Sequence, residues 1–381
     1  MNFSLPDTHV QIRDAARQFA EKEIKPRARE LDEKEQFSEE LTRKMGEVGF
    51  FGIIVPGAYG GQDLDYLAYA IICEEIARID GSHAATITAH NSLGVGPLYY
   101  FGNEEQRKRT LPQLCTGEKL WAFGLTEPGA GSDSRGSKTV AKKVDGGWVI
   151  NGSKIFITNG ASSMNAGVTV QAVTGDKGGK PELSCFIVER GNPGFTSKAM
   201  HGKLMWRASD TSELYFQDCF VKDEALLGKQ GDGSKQMLAT LDRGKIGIAA
   251  MGVGCAQGAY ELALAYAKER RQFGQAISQF QAIGFKLADM HMKIELARTY
   301  LQKACWLADN GQVFTREAAI AKLYASEIAR EVSDEAVQIH GGYGLMKEYD
   351  VERFYRDQRL LQIGEGTSEI QRLIISRQIG C

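Results

Sequence analysis

The sequence predicts an α+β protein in which a β-domain lies between two helical regions. Apolar residues recur at helical spacing up to about residue 120, and the same spacing returns from residue 231. Between them lie short runs rich in β-branched and aromatic residues, separated by Gly, Asn and Asp. We therefore divide the chain into an N-terminal helical domain (1–120), a middle antiparallel β-domain (121–230) and a C-terminal helical bundle (231–381).

The N-terminal region is predicted to consist of packed helices. Ile12, Ala16 and Phe19 recur at helical spacing. The segment DYLAYAIICEEIARID, residues 65–80, predicts a mostly buried helix because it is rich in apolar residues on all sides. The segment NEEQRKRTLPQL, residues 103–114, is mostly polar and charged, and therefore predicts a surface helix.

The middle region is predicted to be an antiparallel sheet. Its strand-like runs are WAFGLTE, WVING, KIFITNG, AGVTVQAV, LSCFIVE and SELYFQDCFV. The segment VDGGWVINGSKIFITNG contains a DG and an NG, and both dipeptides are typical of hairpin turns. A doubly wound sheet would need alternating strands and helices with a glycine-rich phosphate loop, and the sequence has neither.

The C-terminal region is predicted to be a helical bundle. An apolar seam with alternating steps of four and three residues suits helices packed at a shallow angle; it consists of Ile283, Leu287, Met290, Ile294, Ala297 and Leu301. Residues 316–342 predict a second long helix that ends at Gly341 and Gly342. Residues 251–274 begin with small residues, which permit a close approach of helices.

Composition excludes several classes of function. The formal net charge of −2 gives no basic surplus for a nucleic-acid partner or an anionic membrane. No apolar run approaches about 18 residues, so we expect no membrane span, and the first residues show no targeting pattern. The seven cysteines are scattered singly, which argues against a disulfide framework or a zinc site and favours a reducing cytoplasm. No spacing of His, Asp, Glu and Cys predicts a metal site.

Two stretches of the β-domain are candidates for binding a ligand. In FGLTEPGAGSDS, residues 123–134, the loop either offers backbone N–H groups and the hydroxyls of Thr126 and Ser132 to a flat polar ligand, or is a turn that needs Gly. In KIFITNG, Phe156 and Thr158 share a strand face. They either flank a heteroaromatic ring or belong to the buried face of a hairpin.

A third candidate, KERRQFG at residues 268–274, closes a long helix with Arg270, Arg271 and Phe273. Cations at a helix C-terminus are favourable without any ligand. The alternative is that an arginine binds a phosphate bidentately while the aromatic ring covers an adenine or flavin.

The fourth candidate is LLQIGEGTSEIQRLIIS, residues 360–376. Ser368 and Gln371 fit a capping box, which predicts a helix start near residue 368. Glu365, between Gly364 and Gly366, then lies just outside a helix N-terminus. It is either a loop carboxylate beside the positive helix end or an accessible base, and the free N–H groups there also suit a developing oxyanion.

Taken together, six motifs follow one another in a specific order: LTEPGAGSD, ITNG, ERRQFG, QIHGGYG, RFYRD and EGTSEIQRL. In this ordered set the chain resembles the acyl-CoA dehydrogenase family of flavoenzymes over essentially its whole length. The resemblance implies an N-terminal helical domain, a middle β-domain and a C-terminal four-helix-bundle domain. It also implies a homotetramer, a dimer of dimers, with FAD between the β-domain and the C-terminal helices and its ADP part meeting a neighbouring subunit.

The resemblance also implies roles for particular residues. Those expected to line the flavin are Phe123, Leu125, Thr126, Gly131 and Ser132, with Phe156 and Thr158 against the isoalloxazine and Thr367 and Glu369 completing the site. Those expected to hold the adenosine diphosphate are Arg270, Phe273 and Gln281, with Gln338, Gly341 and Gly342 on a partner chain. Those expected near the substrate are Ser132, Asp242, Lys245, Gly364 and Gly366, with Lys245 in place of the more usual Arg.

By the same resemblance Glu365 is the catalytic base. It removes the α-proton of an acyl-CoA thioester. The thioester carbonyl is bound by the N–H of Glu365 and a flavin ribityl hydroxyl. The β-hydrogen leaves as hydride to flavin N5, which gives a trans-2-enoyl-CoA. Electrons then pass to an electron-transferring flavoprotein. Excluding water raises the carboxylate pKa, which suits this role. Some relatives place the base on the long helix, where this chain has Gly244, so Glu365 is the one candidate.

The identity of the acyl group is a further expectation. Many straight-chain members have Tyr where this chain has Gly364, so we expect a wider pocket and a branched or alicyclic acyl group. The alternatives are a straight short- or medium-chain acyl-CoA dehydrogenase, enoyl-CoA reduction, or an acyl-CoA oxidase, whose members are usually longer. A non-redox acyl-CoA-binding scaffold is the alternative of another class, and it would be colourless.

Overall fold

The computed structural model describes residues 4–381, and its helix–sheet–helix order confirms the predicted fold class. Residues 1–3, at the start of the segment without a targeting pattern, lie outside the described residues. The N-terminal helices are α1 (Asp7–Phe19), α2 (Lys25–Lys34), α3 (Glu39–Glu47), α4 (Tyr66–Ala77), α5 (Gly81–Ala89), α6 (Gly96–Phe101) and α7 (Glu104–Cys115). Helix α4 is almost wholly buried, as predicted.

Helix α7 was predicted as a surface helix and is amphipathic. A capping box formed by Asn103 and Gln106 fixes its N-terminus. Leu111 and Leu114 are fully buried on its inner face. The charged face that dominates the sequence is therefore only one side of this helix.

The middle region is a single eight-stranded sheet. Its strands are β1 (Leu120–Gly124), β2 (Val140–Val144), β3 (Gly147–Thr158), β4 (Asn165–Asp176), β5 (Pro181–Glu189), β6 (Phe195–Ala199), β7 (Thr211–Lys222) and β8 (Leu226–Leu227). The order across the sheet is β6-β7-β3-β2-β4-β5-β8, with β1 added against β4. Pairing is antiparallel, as predicted, except that β4 runs parallel to β1 and β2.

Only one of the two hairpin turns expected in this region forms. Asp145 and Gly146 connect β2 to β3, as the DG dipeptide predicts. The prediction of a turn at Asn151-Gly152 is wrong, because β3 continues through it with a bulge. A Cβ at Gly152 would lie 2.5 Å from Oγ1 of Thr139, so glycine is needed there for close packing rather than for a turn.

The C-terminal region contains the long helices. They are α8 (Gly233–Glu269), α9 (Gln281–Asp309), α10 (Thr315–His340), α11 (Val351–Asp357) and α12 (Ser368–Gln378), with a small hairpin of β9 (Arg271–Gln272) and β10 (Gln275–Ala276) after α8. Helices α8, α9, α10 and α12 pack into a bundle, and α8 also packs on α4. The predicted seam of α9 is buried from Leu287 to Leu301.

Small residues of α8 allow the close approach that the sequence predicted. A Cβ at Gly258 would lie 2.1 Å from the carbonyl oxygen of Arg78, and one at Gly252 would lie 2.9 Å from the backbone of Ala325. Among residues 4–381, α8 is the one helix long and apolar enough to cross a membrane by length and composition, and two thirds of its most apolar part is buried in the protein.

Candidate active site

Glu365 lies in a strained loop between α11 and α12. Its φ is +51° and that of Gly366 is +94°, so two consecutive residues adopt left-handed conformations. Helix α12 begins at Ser368, as predicted, but the predicted capping box is wrong. The Oγ1 of Thr367 accepts the N–H of Ile370 (3.3 Å), and Gln371 instead donates from Nε2 to the carbonyl of Gly366 (2.9 Å).

The Glu365 carboxylate occupies space left by a missing side chain on α8. A Cβ at Gly244 would lie 1.8 Å from the Glu365 Oε2. That oxygen is buried and has no hydrogen-bond partner within residues 4–381. A dry carboxylate oxygen with a free lone pair is well suited to accept a proton.

Burial controls the ionisation of Glu365. Desolvation raises the pKa of Glu365 to about 7, although the charges of Lys322 and Lys245 lower it. The side chain of Lys322 is fully buried on α10, and its Nζ donates to the carbonyl of Gly366 (2.7 Å). A carboxyl group that titrates near neutrality is a good candidate for a general base.

Lys245 and Asp242, both predicted as substrate contacts, bind each other in this structure. The Nζ of Lys245 donates to Oδ1 of Asp242 (2.6 Å), and Oγ1 of Thr315 donates to Oδ2 (2.6 Å). Lys245 is buried, whereas Asp242 keeps partial exposure. Both lie one or two residues from Gly244, so the predicted substrate stretch passes beside the Glu365 carboxylate.

A narrow cavity lies between α4, α6 and α8, and Arg243, the residue before Gly244, is part of its lining. It is lined by Ile53, Ile54, Tyr66, Tyr69, Asn91, Ser92, Gly96, Tyr100 and Arg243. The hydroxyls of Tyr66 and Tyr100 lie 2.7 Å apart, and the Arg243 guanidinium lies 4.0 Å from the centre of the Tyr100 ring. These bonded side chains form part of the wall of the cavity.

The predicted flavin loop and strand lie side by side. The N–H of Ile155 donates to the carbonyl of Thr126 (2.9 Å), and the Nζ of Lys154 donates to the carbonyl of Leu125 (3.2 Å). Phe156 has a φ of +61° and is 63% exposed. Its ring is therefore available to a flat partner.

The other residues predicted along this loop differ in their surroundings. Phe123, at the end of β1, is buried, and Ser132 is exposed. Thr158 is half-buried and lies two residues beyond Phe156, past an irregularity in the pairing of β3 between Lys154 and Ile157. A Cβ at Gly131 would meet nothing within 4 Å, so the loop leaves space there for a ligand.

A buried ion pair holds this loop to β3. Nζ of Lys154 lies 2.7 Å from Oε1 of Glu127, and the Lys154 side chain has no exposure. The Glu127 carboxylate also accepts hydrogen bonds from Ser137, Lys138 and Thr139. Burial opposes ionisation, but Lys154 and these hydrogen bonds outweigh it and hold the pKa of Glu127 at about 2.

The remaining predicted cofactor residues form a second group at the other end of the bundle. Helix α8 ends at Glu269, so Arg270, Arg271 and Phe273 follow the helix rather than closing its last turn. The Arg270 guanidinium lies 5.5 Å from the centre of the Tyr343 ring. Phe273 has a φ of +51° in the β9–β10 turn and is 93% exposed.

This second group does not meet Glu365 within one chain. Gln338 is 16 residues beyond Lys322 on α10, which corresponds to about 24 Å along the helix axis. Gln281, Gln338, Gly341 and Gly342 are all exposed. Thr367 and Glu369, in contrast, stay near the base and line an open groove with Leu204, Tyr355 and Arg359.

Comparisons with known proteins define the class to which this fold and site belong. Family models of the acyl-CoA dehydrogenase N-terminal, middle and C-terminal domains match residues 6–118, 122–219 and 231–380. The chain belongs to the acyl-CoA dehydrogenase family. It is an oxidoreductase that acts on acyl-CoA, with FAD as its cofactor, and the open loop and exposed Phe156 ring described above fit a flavin.

Individual relatives resemble the whole chain. It is 50% identical over 380 residues to the probable acyl-CoA dehydrogenase YngJ of Bacillus subtilis, and 44% identical over 379 residues to the short-chain specific acyl-CoA dehydrogenase of Clostridium acetobutylicum, with 100% of each chain covered in both cases. It also matches a chain from a study of the electron transferring flavoprotein of Acidaminococcus fermentans, with a TM-score of 0.97, 43% identity and 100% of each chain covered.

Several groups of the site were not recognised in the sequence. Lys322 and the Tyr100–Arg243 pair lie outside the motifs named above, and Lys154 begins KIFITNG but had no predicted role. Lys322 does carry a signal, because it lies three residues from Ala319 and three from Ala325 on the buried face of α10. A lysine in an apolar helical stripe needs a buried partner.

Proposed function

We propose that this protein oxidises an acyl-CoA thioester to a trans-2-enoyl-CoA, with Glu365 as the base. The C–H bond at Cα breaks and its proton goes to Glu365, while the hydrogen at Cβ leaves with its electron pair, so that a carbon–carbon double bond forms. The observation that carries the proposal is the buried, unpartnered Oε2 of Glu365. Its pKa near 7 lets the carboxylate both hold and release a proton at neutral pH.

The other residues bind, orient and exclude water. Bound FAD supplies the hydride acceptor at flavin N5. We assign Phe156 and Thr158 to the flavin ring, because the Phe156 ring is exposed and the preceding residue, Ile155, is hydrogen-bonded to Thr126 of the loop. The remaining members of the proposed cofactor set on this side are Phe123, Leu125, Gly131, Ser132, Thr367 and Glu369.

The proposed assembly is a homotetramer that passes electrons to an electron-transferring flavoprotein in the cytoplasm. The exposure of Arg270, Phe273 and Gln338, far from Glu365 in the same chain, supports a partner subunit that brings this group to the cofactor. The match to a chain studied with the Acidaminococcus fermentans electron transferring flavoprotein supports the electron acceptor.

The base assignment is tested by anaerobic titration of the FAD-loaded protein with acyl-CoAs while flavin absorbance is followed. Glu365→Gln should retain the fold and FAD but abolish bleaching, because an amide does not accept the α-proton. Glu33→Gln, at an exposed position on α2, is the matched control and should bleach normally. Bleaching of Glu365→Gln at the normal rate would refute the assignment.

The acyl group is proposed to be branched or alicyclic. Gly364 supports this proposal, because a Cβ there would meet Leu360 only at ordinary contact distances of 3.6 Å and beyond, which leaves room beside the base. The short-chain specificity in the name of the Clostridium acetobutylicum relative supports the alternative, a straight short acyl chain.

Gly364→Tyr separates these two substrate classes. A phenol ring should fill the space beside Cα and Cβ, so kcat/KM for branched and cyclic acyl-CoAs should fall about tenfold or more relative to straight chains. A panel of straight, branched and cyclic acyl-CoAs provides the measurement, and Gly284→Ala on α9 is a control without contacts closer than 3.8 Å. Equal losses for all substrates, or none, would contradict the bulky-substrate proposal.

A further inference from the structure

Lys322 is a buried ammonium group that the proposed reaction does not use. Its residue has no solvent exposure, and neighbouring positions on the same face of α10, such as Ala319 and Ala325, are equally buried. Burying a lysine is costly unless its charge and its donors find partners. The groups that surround the Lys322 ammonium therefore indicate its role.

The base loop provides the hydrogen-bond partner of Lys322. Its Nζ donates to the carbonyl of Gly366 (2.7 Å), the residue after Glu365. The same carbonyl accepts Nε2 of Gln371 (2.9 Å), which also reaches the carbonyl of Glu365 (3.3 Å). Two side chains from different helices thus hold the left-handed pair Glu365-Gly366.

The charge of Lys322 faces the Glu365 carboxylate. The other ionisable groups that act on Glu365 are Lys245 on α8 and Tyr69 on α4. Lys245 is already bound by Asp242 at 2.6 Å, so much of its charge is compensated locally. The further acids near Lys322 are Glu369, which is exposed, and Glu327, which pairs with Arg372 at 2.9 Å.

We propose that Lys322 is the positioning residue of the base: it holds the Gly366 carbonyl and supplies the positive charge that faces the Glu365 carboxylate. The inference rests on the proposed function of Glu365. The hydrogen bond has a second donor in Gln371, whereas the uncompensated charge has no equivalent within residues 4–381. Substitution of Lys322 by an uncharged residue should therefore change the pKa of Glu365 mainly through the loss of positive charge.

The direction of that effect follows from electrostatics. Burial raises the pKa of Glu365 to about 7, and Lys322 opposes this rise. Removing the cation should raise the pKa further, so that less of the base is ionised at neutral pH. A neighbouring opposite charge typically changes a carboxyl pKa by roughly 1–3 pH units.

The test follows the rate of flavin bleaching by a saturating acyl-CoA against pH in the FAD-loaded protein. Lys322→Met should move the midpoint of the acid limb upward by about 1–3 pH units and slow bleaching at pH 7 by about fivefold or more, with recovery at alkaline pH. Lys322→Arg should keep the wild-type midpoint. Lys286→Met, which removes a lysine paired with Glu335 between α9 and α10, should leave it unchanged.

A second readout does not depend on turnover. Infrared difference spectra recorded against pH should show the carbonyl band of the protonated Glu365 carboxyl, assigned by its loss in Glu365→Gln. In Lys322→Met this band should persist to a pH that is higher by about 1–3 units, the same shift as in the bleaching midpoint. If Lys322→Met does not fold, Lys322→Gln, which keeps an N–H donor but no charge, should give the same displacement.

The outcomes separate this inference from the base assignment. A uniform loss of rate at every pH, with the midpoint and the infrared titration unmoved in the Met or Gln variant, would overturn the role of Lys322. Normal bleaching by Glu365→Gln would instead overturn the base assignment itself. Loss of bleaching in Glu365→Gln with an unmoved midpoint in the Lys322 variants refutes only the inference.

Discussion

At the scale of single residues, the site depends as much on an absent side chain as on a present one. Gly244 leaves the volume that the Glu365 carboxylate fills, and the two residues are far apart in sequence. The Oε2 of Glu365 is therefore held in a buried position without a hydrogen-bond partner within residues 4–381. Any atom added at Gly244 competes directly for space with the carboxylate that we propose as the proton acceptor.

Gly244→Ala should accordingly disable the base. The new Cβ would lie 1.8 Å from Oε2, so the carboxylate must move by an ångström or more. We expect kcat to fall on the order of 10²-fold, the usual scale for a misplacement of this size, while overpacking costs about 1–3 kcal/mol of stability. Stopped-flow bleaching and thermal unfolding measure the two effects.

The matched control for this change is Gly284→Ala on α9. A Cβ there meets only the carbonyl of Ser278 at 3.8 Å, so the higher helix propensity of Ala should leave stability equal or slightly improved. Activity should be unchanged. A normal bleaching rate in Gly244→Ala would show that the carboxylate has another position from which to act.

Residues with a local signal were identified from the sequence, and residues defined by packing were not. Glu365 lies between glycines before a helix start, and this pattern is visible in a few letters. The role that we propose for Lys322 depends on its hydrogen bond to the Gly366 carbonyl, 44 residues away in the chain. The partners of a buried charge are tertiary contacts, so no local pattern specifies them.

At the scale of secondary-structure elements, strand β3 and the loop before β2 form one unit. Lys154 joins them through Glu127 and the carbonyl of Leu125. The Glu127 carboxylate in turn accepts hydrogen bonds from Ser137, Lys138 and Thr139 at the other end of the loop. The loop proposed to line the flavin is thus tied at both ends to the strand that carries Phe156.

Lys154→Met should loosen this unit. It leaves the buried Glu127 carboxylate without its cation, a change that typically costs about 3–5 kcal/mol. We expect weaker FAD retention, by about tenfold in Kd, together with a lower melting temperature. Because the folded-state pKa of Glu127 is depressed to about 2, its stabilisation is present above the ordinary carboxyl pKa and is lost as pH falls toward 2.

Lys143→Met provides the control for this experiment. Lys143 lies on β2 and forms an exposed ion pair with Asp223, which should contribute little to stability. Equal FAD affinity in Lys154→Met and Lys143→Met would contradict the proposed role of the buried pair.

The sequence predicted elements where local chemistry decides them. The turn at Asp145-Gly146 formed, whereas Asn151-Gly152 did not form one, because Gly152 packs closely against Thr139, the residue before β2. The parallel pairing of β4 with β1 and β2 was likewise not predicted. Both depend on contacts between segments that are distant in the chain.

At the scale of the whole molecule, two buried acids oppose folding at neutral pH. Burial raises the pKa of Glu365 to about 7, and burial together with the nearby Asp80 raises that of Asp357 to about 7. The Oδ1 of Asp357 accepts the N–H of Trp206 (2.8 Å), which connects α11 to the β-domain segment. Buried carboxyl groups with raised pKa values therefore occur both at Glu365 and at Asp357, where α11 meets the β-domain segment.

The stability of the molecule should consequently depend on pH with a definite sign. The folded-state pKa of Glu365 exceeds its ordinary value of 4.5, so the folded state binds this proton more tightly. The free energy of unfolding should then fall as pH rises from about 4.5 to about 7, and level off above it. The two pKa values imply a contribution of roughly 3 kcal/mol from Glu365 alone.

Glu365→Gln tests this dependence because it keeps the shape but removes the titration. At pH 8 the variant should exceed the wild type by up to roughly 3 kcal/mol in free energy of unfolding, and near pH 4.5 the difference should vanish. Glu30→Gln, at an exposed position on α2, is the control; its folded-state pKa is lowered, so it should give no gain at pH 8. Denaturant unfolding of the FAD-loaded variants provides the measurement. An unaltered pH dependence in Glu365→Gln would mean that the carboxylate is hydrated in solution, which would also remove the physical basis for its strength as a base.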